Sequence, residues 1–155
     1  MQTVYLILQD IRSVHNVGSI LRTADAAGVS KVLLCGCTPT PLDRFGRKRK
    51  DVAKVALGAE DVVKWEHVET VEAAIQQCKE EGVTVVAVEQ CKTSVPYTEF
   101  VCEKPTVFVM GEETKGVPEE VLKQCDKIVE IPMRGEKESL NVSVATGIVL
   151  FGCTK

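Results

Sequence analysis

Three segments of this sequence carry polar side chains of a kind that could bind a ligand or take part in a reaction. They span residues 16–23, 111–116 and 139–143, and each lies at or just after a hydrophobic run. Amide, hydroxyl and guanidinium groups can hydrogen-bond a ligand or stabilise negative charge that develops on a reacting oxygen. No predicted strand is followed by G-x-G-x-x-G or by G-x-x-x-x-G-K-[ST], which excludes the usual dinucleotide and phosphate loops.

Each segment also has a purely structural interpretation. Ser139 could cap the last helix, Glu113 could accept N–H groups of its own turn, and Arg22 could face solvent. The last helix, however, contains an apolar run at 148–151 and should be buried in a core or an interface. Unpaired polar groups are costly there, so Asn141 and Ser143 should meet backbone, a partner chain or a ligand.

Alternating strands and helices must position these segments. Short apolar runs predict strands at 4–8, 31–35, 83–88, 107–110 and 128–131, with a weaker one at 61–65. Helical spacing of apolar residues covers 17–24 and 71–78, Pro118 fits the first turn of another helix, and Ser139 opens the last. The strands are apolar on both faces, which predicts an α/β fold with a mostly parallel sheet and helices on both faces. Ligands bind beyond the carboxyl ends of such strands.

The length, composition and charge of the chain limit the kinds of protein that it can be. A chain of 155 residues with 45% hydrophobic content suits one domain, and we expect no membrane span and no signal peptide. We therefore expect a cytoplasmic protein. Seven scattered cysteines without a C-x-x-C pair favour reduced, mostly buried thiols and no metal site. The net charge of -3 confines any nucleic-acid contact to a local patch.

One such patch lies between residues 44 and 50. It follows a turn-prone Thr-Pro-Thr-Pro stretch and could equally be a solvated surface loop. Phe45 within it could stack against a base. The residues that we predict to contact RNA are Arg44, Arg47, Lys48, Arg49 and Lys50.

Taken together, the three polar segments resemble the SpoU (TrmH-like) family of RNA ribose 2′-O-methyltransferases, within the SPOUT superfamily. The resemblance runs from about residue 10 to residue 151. The third family motif, I-P-M-x-G-x-x-x-S-L-N-V-S, appears at residues 131–143. The first two, N-x-G-x-x-x-R-[ST] and G-x-E-x-x-G, appear as Asn16, Gly18, Arg22 and Thr23 and as Gly111, Glu113 and Gly116.

The resemblance implies a fold and a cofactor. The C-terminal part of the chain should form a deep trefoil knot, an exception to the rule against knotted chains. S-adenosyl-L-methionine should bind in the knot, mostly through backbone groups. The residues expected to bind it are Met110, Gly111, Glu112, Ile131, Met133, Ser139, Leu140 and Asn141.

It also implies a reaction, in which a ribose 2′-hydroxyl of tRNA or rRNA attacks the methyl group of the cofactor. Arg22 should activate this hydroxyl by stabilising the developing alkoxide, because an arginine is too basic to remove a proton. His15 is a possible general base, but the resemblance gives that position no catalytic role. The remaining residues expected at the catalytic site are Asn16, Glu113, Ser139 and Asn141.

The resemblance also implies a homodimer in which the partner completes the cleft, and the apolar run at 148–151 is consistent with an interface helix. We expect residues 1–155 to form a single domain without the N-terminal RNA-binding extension of many relatives. A catalytically inactive, knotted RNA-binding module is the alternative function. A methyltransferase acting on a base nitrogen is disfavoured by the first motif.

Overall fold

The computed structural model describes residues 2–154. Strands and helices alternate along most of the chain, as the apolar periodicity predicted. A short 3₁₀ turn, Tyr97–Glu99, follows the fifth strand. The strands are β1 (Val4–Gln9), β2 (Lys31–Cys35), β3 (Trp65–Val68), β4 (Thr84–Val88), β5 (Val95–Pro96), β6 (Thr106–Met110) and β7 (Lys127–Glu130). The helices are α1 (Val14–Ala26), α2 (Lys50–Ala56), α3 (Ala59–Val62), α4 (Val71–Glu80), α5 (Glu119–Leu122) and α6 (Val142–Cys153).

The seven strands form one sheet in the order β3-β2-β1-β6-β4-β7-β5, and each of the pairings between neighbouring strands is parallel. The predicted parallel α/β sheet is therefore confirmed. Because all strands run the same way, the loops after β1, β4, β6 and β7 emerge at one edge. That edge gathers the three polar segments of the sequence.

Helices cover both faces of the sheet, also as predicted. On one face, Leu6 and Leu8 of β1 belong to a core that contains residues of α1, α2, α3 and α6. On the other face, Ile7 packs in a second core with residues of α4 and α5. Side chains alternate across a strand, so a central strand buried on both faces must be apolar at every position. This explains the continuous apolar run of β1.

The weak strand predicted at 61–65 is wrong, because residues 59–62 form α3 and the strand begins only at Trp65. The helical turn is fixed by Glu60, whose carboxylate accepts the Gly58 N–H at 2.9 Å. The same carboxylate lies 3.1 Å from Lys48 Nζ. These contacts hold one helical turn where the β-branched residues alone suggested a strand.

The start of the last helix also differs from the prediction. Ser139 does not cap it; Asn141 does, and the helix begins at Val142. The Oδ1 atom of Asn141 accepts the N–H of Ser143 at 2.9 Å. Residues 132–141 are irregular, because Pro132 and the polar residues after it form no regular element. Pro118 lies directly before α5, close to its predicted place.

The seven cysteines are all free thiols, in line with the sequence analysis. Cys35 and Cys78 are buried, and burial raises the pKa of these thiols to about 12 and about 11. They therefore stay protonated and pack as small apolar residues. Cys37 is exposed, and its backbone N–H donates to Asp10 Oδ1 at 2.9 Å. Across residues 2–154, no helix is long and apolar enough to cross a bilayer.

Candidate active site

Two adjoining cavities lie at the carboxyl edge of the sheet, where β4, β6 and β7 end. Their volumes are about 230 and 110 Å³, and both are lined by Val88, Glu89, Ser139, Leu140 and Ala145. The larger is otherwise lined by Met110, Gly111, Glu112, Glu113, Thr114, Lys115, Gly116 and Val142. The smaller also contacts Gln90, Glu130, Ile131 and Met133. The cavities therefore collect all the residues predicted to bind the cofactor except Asn141.

The two glycines of the second segment let its backbone fold tightly beside the larger cavity. A Cβ atom on Gly111 would lie 2.5 Å from the N of Val117 and 2.6 Å from the O of Gly116, far inside van der Waals distance. Gly116 has a φ of +67°, and a Cβ there would overlap the carboxylate of Glu89. Both positions thus need glycine for close backbone approach, beyond a simple turn.

Glu89 is a site residue that the sequence analysis missed. Its Oε2 atom accepts the N–H of Val117 at 2.9 Å, which ties the loop after β4 to the loop after β6. Gln90 next to it donates from Nε2 to the carbonyl of Glu138 at 2.9 Å, which adds the loop after β7. Its position directly after the predicted strand at 83–88 could have indicated that Glu89 lies at the carboxyl edge of the sheet. Glu89 belongs to none of the three family motifs, so the motifs did not indicate a role for it.

Asn16 and Asn141 join the first and third segments, which are 125 residues apart in sequence. The Nδ2 of Asn141 donates to the Oδ1 of Asn16 at 3.1 Å, and Asn16 is only 7% exposed. The Oδ1 of Asn141 accepts from both the N–H and the hydroxyl of Ser143. Asn141 therefore caps α6 and satisfies a buried amide of α1 at the same time. Ser143 is paired in this way without any ligand.

We expect Asn141→Ala to destabilise the fold by about 2 kcal/mol. Loss of the helix cap costs about 1 kcal/mol, and the buried Asn16 amide loses its donor at a similar cost. Urea unfolding followed by circular dichroism measures this difference. Ser139→Ala is the control, because Ser139 is exposed and does not cap the helix. Equal stability of the two variants would contradict the role of Asn141.

The side chain of Glu113 extends away from its own turn, toward the loop between β1 and α1. Its carboxylate oxygens lie 3.4 Å from the backbone nitrogens of Arg12 and Ser13, in the loop between β1 and α1. These are long hydrogen bonds between exposed groups, so they orient the side chain more than they stabilise it. The interpretation of Glu113 as a fixer of its own turn is wrong. The structure places it between the first and second segments, beside the larger cavity.

Arg22 lies on α1 but is not among the residues that line the two cavities. Its side chain is exposed and makes no ion pair with any of residues 2–154. The next residue, Thr23, faces α6, since a Cβ on Gly147 would lie 3.6 Å from its Cγ2. Arg22 therefore sits beside the contact between α1 and α6. Within one chain, the fold does not bring Arg22 to the lining of these cavities.

Acidic neighbours neutralise part of the basic segment at 44–50. Lys48 Nζ lies 2.8 Å from Asp61 and 3.1 Å from Glu60, and the hydrogen bonds that it donates to Asp61 and, to a smaller extent, to Glu60 raise its pKa. Arg49 pairs with Asp51 at 2.7 Å, which lowers the pKa of that carboxyl. Three basic side chains of the segment have no carboxylate partner in the described part of the chain. They are Arg44, Arg47 and Lys50.

A third, open groove of about 700 Å³ lies next to the cavities and shares Glu89 and Gln90 with the smaller one. Lys92, Lys115 and Lys123 are among its lining residues. In residues 2–154, no group of three or more His, Cys, Asp or Glu side chains is arranged to hold a metal ion.

The comparison with known families agrees with the motifs at this edge. The sequence model of the SpoU rRNA Methylase family matches residues 3–151. The chain belongs to the SpoU rRNA methylase family. The match includes all three polar segments and every strand of the sheet.

Curated relatives of this SpoU protein are RNA methyltransferases. It is 37% identical over 146 residues to the "23S rRNA (guanosine-2'-O-)-methyltransferase RlmB" of Pseudomonas aeruginosa, with 94% of this chain and 56% of the relative covered. It is 37% identical over 145 residues to the "tRNA (guanosine(18)-2'-O)-methyltransferase" of Aquifex aeolicus, with 92% of this chain and 64% of the relative covered. The SpoU protein thus spans little more than half the length of the first of these relatives.

Solved structures share its fold. The A. aeolicus TrmH/SpoU tRNA modifying enzyme superposes with a TM-score of 0.83 at 34% identity, covering 98% of this chain and 74% of that one. The AdoMet-bound rRNA methyltransferase from Sinorhizobium meliloti superposes with a TM-score of 0.85 at 34% identity, covering 97% and 55%. The SPOUT methyltransferase fold of this SpoU protein is therefore established.

Proposed function

We propose that this protein transfers a methyl group from S-adenosyl-L-methionine to a ribose 2′-hydroxyl of tRNA or rRNA. The observation that carries the proposal is the pair of cavities at the carboxyl edge, enclosed by the second and third segments and joined to the first through Asn16 and Asn141. Two further facts support it. Relatives at 37% identity are named RNA 2′-O-methyltransferases, and a similar fold is described as AdoMet-bound.

The residues around the cavities fit this cofactor. Met110, Ile131 and Leu140 offer apolar surface for an adenine ring, and the close backbone at Gly111 leaves room beside it. Glu89 and Glu112 add carboxylates, which favour a cationic ligand. Together with Met133, Ser139 and Asn141, these are the residues that we propose to hold the cofactor, Glu89 being the addition from the structure.

When bound, S-adenosylmethionine supplies a sulfonium-activated methyl group that an alcohol oxygen can attack. We assign to Arg22 the stabilisation of negative charge on the 2′-oxygen, since a guanidinium stays protonated and can donate several hydrogen bonds. An RNA phosphate near this oxygen is the proposed proton acceptor. Asn16 and Asn141 hold the loops in register, Ser139 lines both cavities, and Glu113 orients the loop before α1 toward the cavity.

A second copy of the chain would bring Arg22 to a cavity. The side chain lies outside the lining of its own cavities and beside α6. Val144 and Phe151 of α6 are 50% and 59% exposed and, being seven residues apart, lie on the same face of the helix. We propose a symmetric homodimer that buries this face of α6 and completes each active site with Arg22 of the partner.

We expect Val144→Asp to convert the dimer into a monomer, because a carboxylate buried in an apolar interface loses its hydration. Size-exclusion chromatography with light scattering measures the mass directly. Val62→Asp is the matched control, since Val62 is 68% exposed on α3, away from α6. The proposed interface would be refuted by a Val144→Asp protein with the mass of a dimer.

Three other features belong to the same proposal. We propose that the segment after β7 threads through the chain as a trefoil knot, supported by its contacts with Gln90 on one side and Asn16 on the other.

The basic residues Arg44, Arg47, Lys48, Arg49 and Lys50 are the proposed RNA contact, with Lys48 and Arg49 partly neutralised by their acidic partners. An RNA substrate of this kind also favours a cytoplasmic location.

Mass spectrometry of nucleosides tests the function. The purified protein is incubated with S-adenosylmethionine and with separate tRNA and rRNA pools that lack ribose methylation, and each pool is then digested. We expect a new 2′-O-methyl nucleoside in one pool. A methylated base would refute the ribose as acceptor. Absence of methylation together with absence of cofactor binding by calorimetry would favour the catalytically inactive RNA-binding module.

A further inference from the structure

Residues 42–48 form a tight hairpin on the surface of the protein. Leu42 and Lys48 form an antiparallel bridge, and the N–H of Asp43 donates to the carbonyl of Arg47 at 2.8 Å. Gly46 has a φ of +76°, which completes the turn. Residues 43–47 are called the tip below. The structure thus presents the tip as a defined turn within the basic segment.

A carboxylate and an ion pair hold the tip in place. The Oδ1 of Asp43 accepts the N–H groups of Phe45 at 2.8 Å and of Arg47 at 2.9 Å. At the base of the hairpin, Lys48 contacts Glu60 and Asp61 of α3. The acidic neighbours of the basic segment therefore anchor the hairpin, and they leave Arg44 and Arg47 unpaired among the described residues.

The tip exposes an aromatic ring flanked by two guanidinium groups. Phe45 is 65% exposed, and the Cζ atoms of Arg44 and Arg47 lie 4.8 and 5.2 Å from its ring centroid. Nothing in the core requires a phenylalanine at this position. Aromatic rings and guanidinium planes are the groups on which unpaired bases stack, and the guanidinium charge also attracts phosphates.

We propose that the tip is a stacking platform for an unpaired nucleotide of the RNA substrate, with Phe45 stacking on the base and Arg44 and Arg47 binding beside it. This inference rests on the proposed function for the identity of the partner as RNA. It divides the basic segment into two parts. Arg44 and Arg47 bind the RNA, whereas the ion pairs of Lys48 with Glu60 and Asp61 position the hairpin. An exposed unpaired base is preferred to a duplex, because paired bases leave no free face.

Binding of the full chain to short RNAs tests the platform. The probes are a fluorescent single strand of about 12 nucleotides and the corresponding duplex, with affinity measured by anisotropy. We expect Phe45→Ala to weaken single-strand binding roughly tenfold and to leave duplex binding nearly unchanged, whereas Phe45→Trp retains affinity. Arg44→Gln and Arg47→Gln should each lower the salt dependence of single-strand binding by about 0.7 in log–log slope.

Two control variants alter residues outside the tip that have properties similar to those of Phe45 and the arginines. Val62→Ala removes an equally exposed apolar side chain, and Lys54→Gln removes an exposed charge on α2; both should bind as the parent protein. Asp43→Ala should weaken single-strand binding through loss of the turn. Asp43→Asn should largely restore it, because an amide oxygen still accepts the two N–H groups.

Unchanged single-strand binding of Phe45→Ala would overturn the proposal, and so would an equal loss for the duplex, which would indicate backbone contact alone. The methylation and cofactor-binding assays separate this result from the proposed function. If the protein methylates RNA but Phe45→Ala leaves its single-strand binding unchanged, only the platform is refuted. If the protein never methylates RNA but Phe45→Ala still lowers its single-strand affinity, the platform is supported and the enzymatic function is refuted.

Discussion

Arg22→Ala is expected to slow methyl transfer strongly while leaving the binding of S-adenosylmethionine close to normal. The side chain lies outside the lining of the cavities and has no ion-pair partner in residues 2–154, so its removal costs little structure. If it stabilises the 2′-oxygen only as that atom becomes anionic, its loss should lower the rate constant by about 10²–10³-fold. Single-turnover methylation at saturating RNA measures this rate, and calorimetry measures the cofactor Kd.

Arg22→Lys is the matched variant, because it keeps the charge but not the planar fork of donors. We expect it to recover part of the rate. A mixture of Arg22→Ala with a variant damaged in the cavity should regain activity if the partner supplies Arg22, since hybrid dimers then contain one intact site. Loss of cofactor affinity in Arg22→Ala, instead of rate, would contradict the assignment.

Gly111→Ala is expected to weaken cofactor binding by about 100-fold or more. The added Cβ would lie 2.5 Å from the N of Val117 and 2.6 Å from the O of Gly116, and these are backbone atoms that cannot swing aside. The loop after β6 must therefore move, and the larger cavity changes shape. Strain of this kind costs about 1–3 kcal/mol in a packed region, so we also expect lower thermal stability. Calorimetry with S-adenosylmethionine and thermal unfolding measure the two effects.

Gly135→Ala is the control for this prediction. Gly135 lies in the loop after β7, within the third family motif, and a Cβ there would meet nothing within 4 Å. We expect its cofactor affinity and stability to match those of the parent protein. If both glycine variants bind S-adenosylmethionine as tightly as the parent, the close backbone at Gly111 is not part of the cofactor site.

Much of the fold followed from local patterns. The continuous apolar runs of β1 and β6 predicted a parallel sheet covered on both faces, because only such a sheet buries both sides of a strand. The apolar spacing within α1 and α4 predicted helices for the same reason. The errors at residues 61–65 and at Ser139 arose where a distant or neighbouring side chain decided the element. Lys48 and Glu60 fix α3, and Asn141 caps α6 in place of Ser139.

The sequence by itself determined the fold class and the family, because the three motifs keep their residue types and spacing in the linear chain. Only the tertiary structure showed that Asn141 hydrogen-bonds Asn16, that Glu89 holds Val117, and that Arg22 lies apart from the cavities. It also distinguished Lys48, which is anchored by acidic side chains, from the exposed ring of Phe45. Such pairings join residues far apart in the chain, and their geometry depends on how the strands stack and the loops meet, which no local pattern encodes.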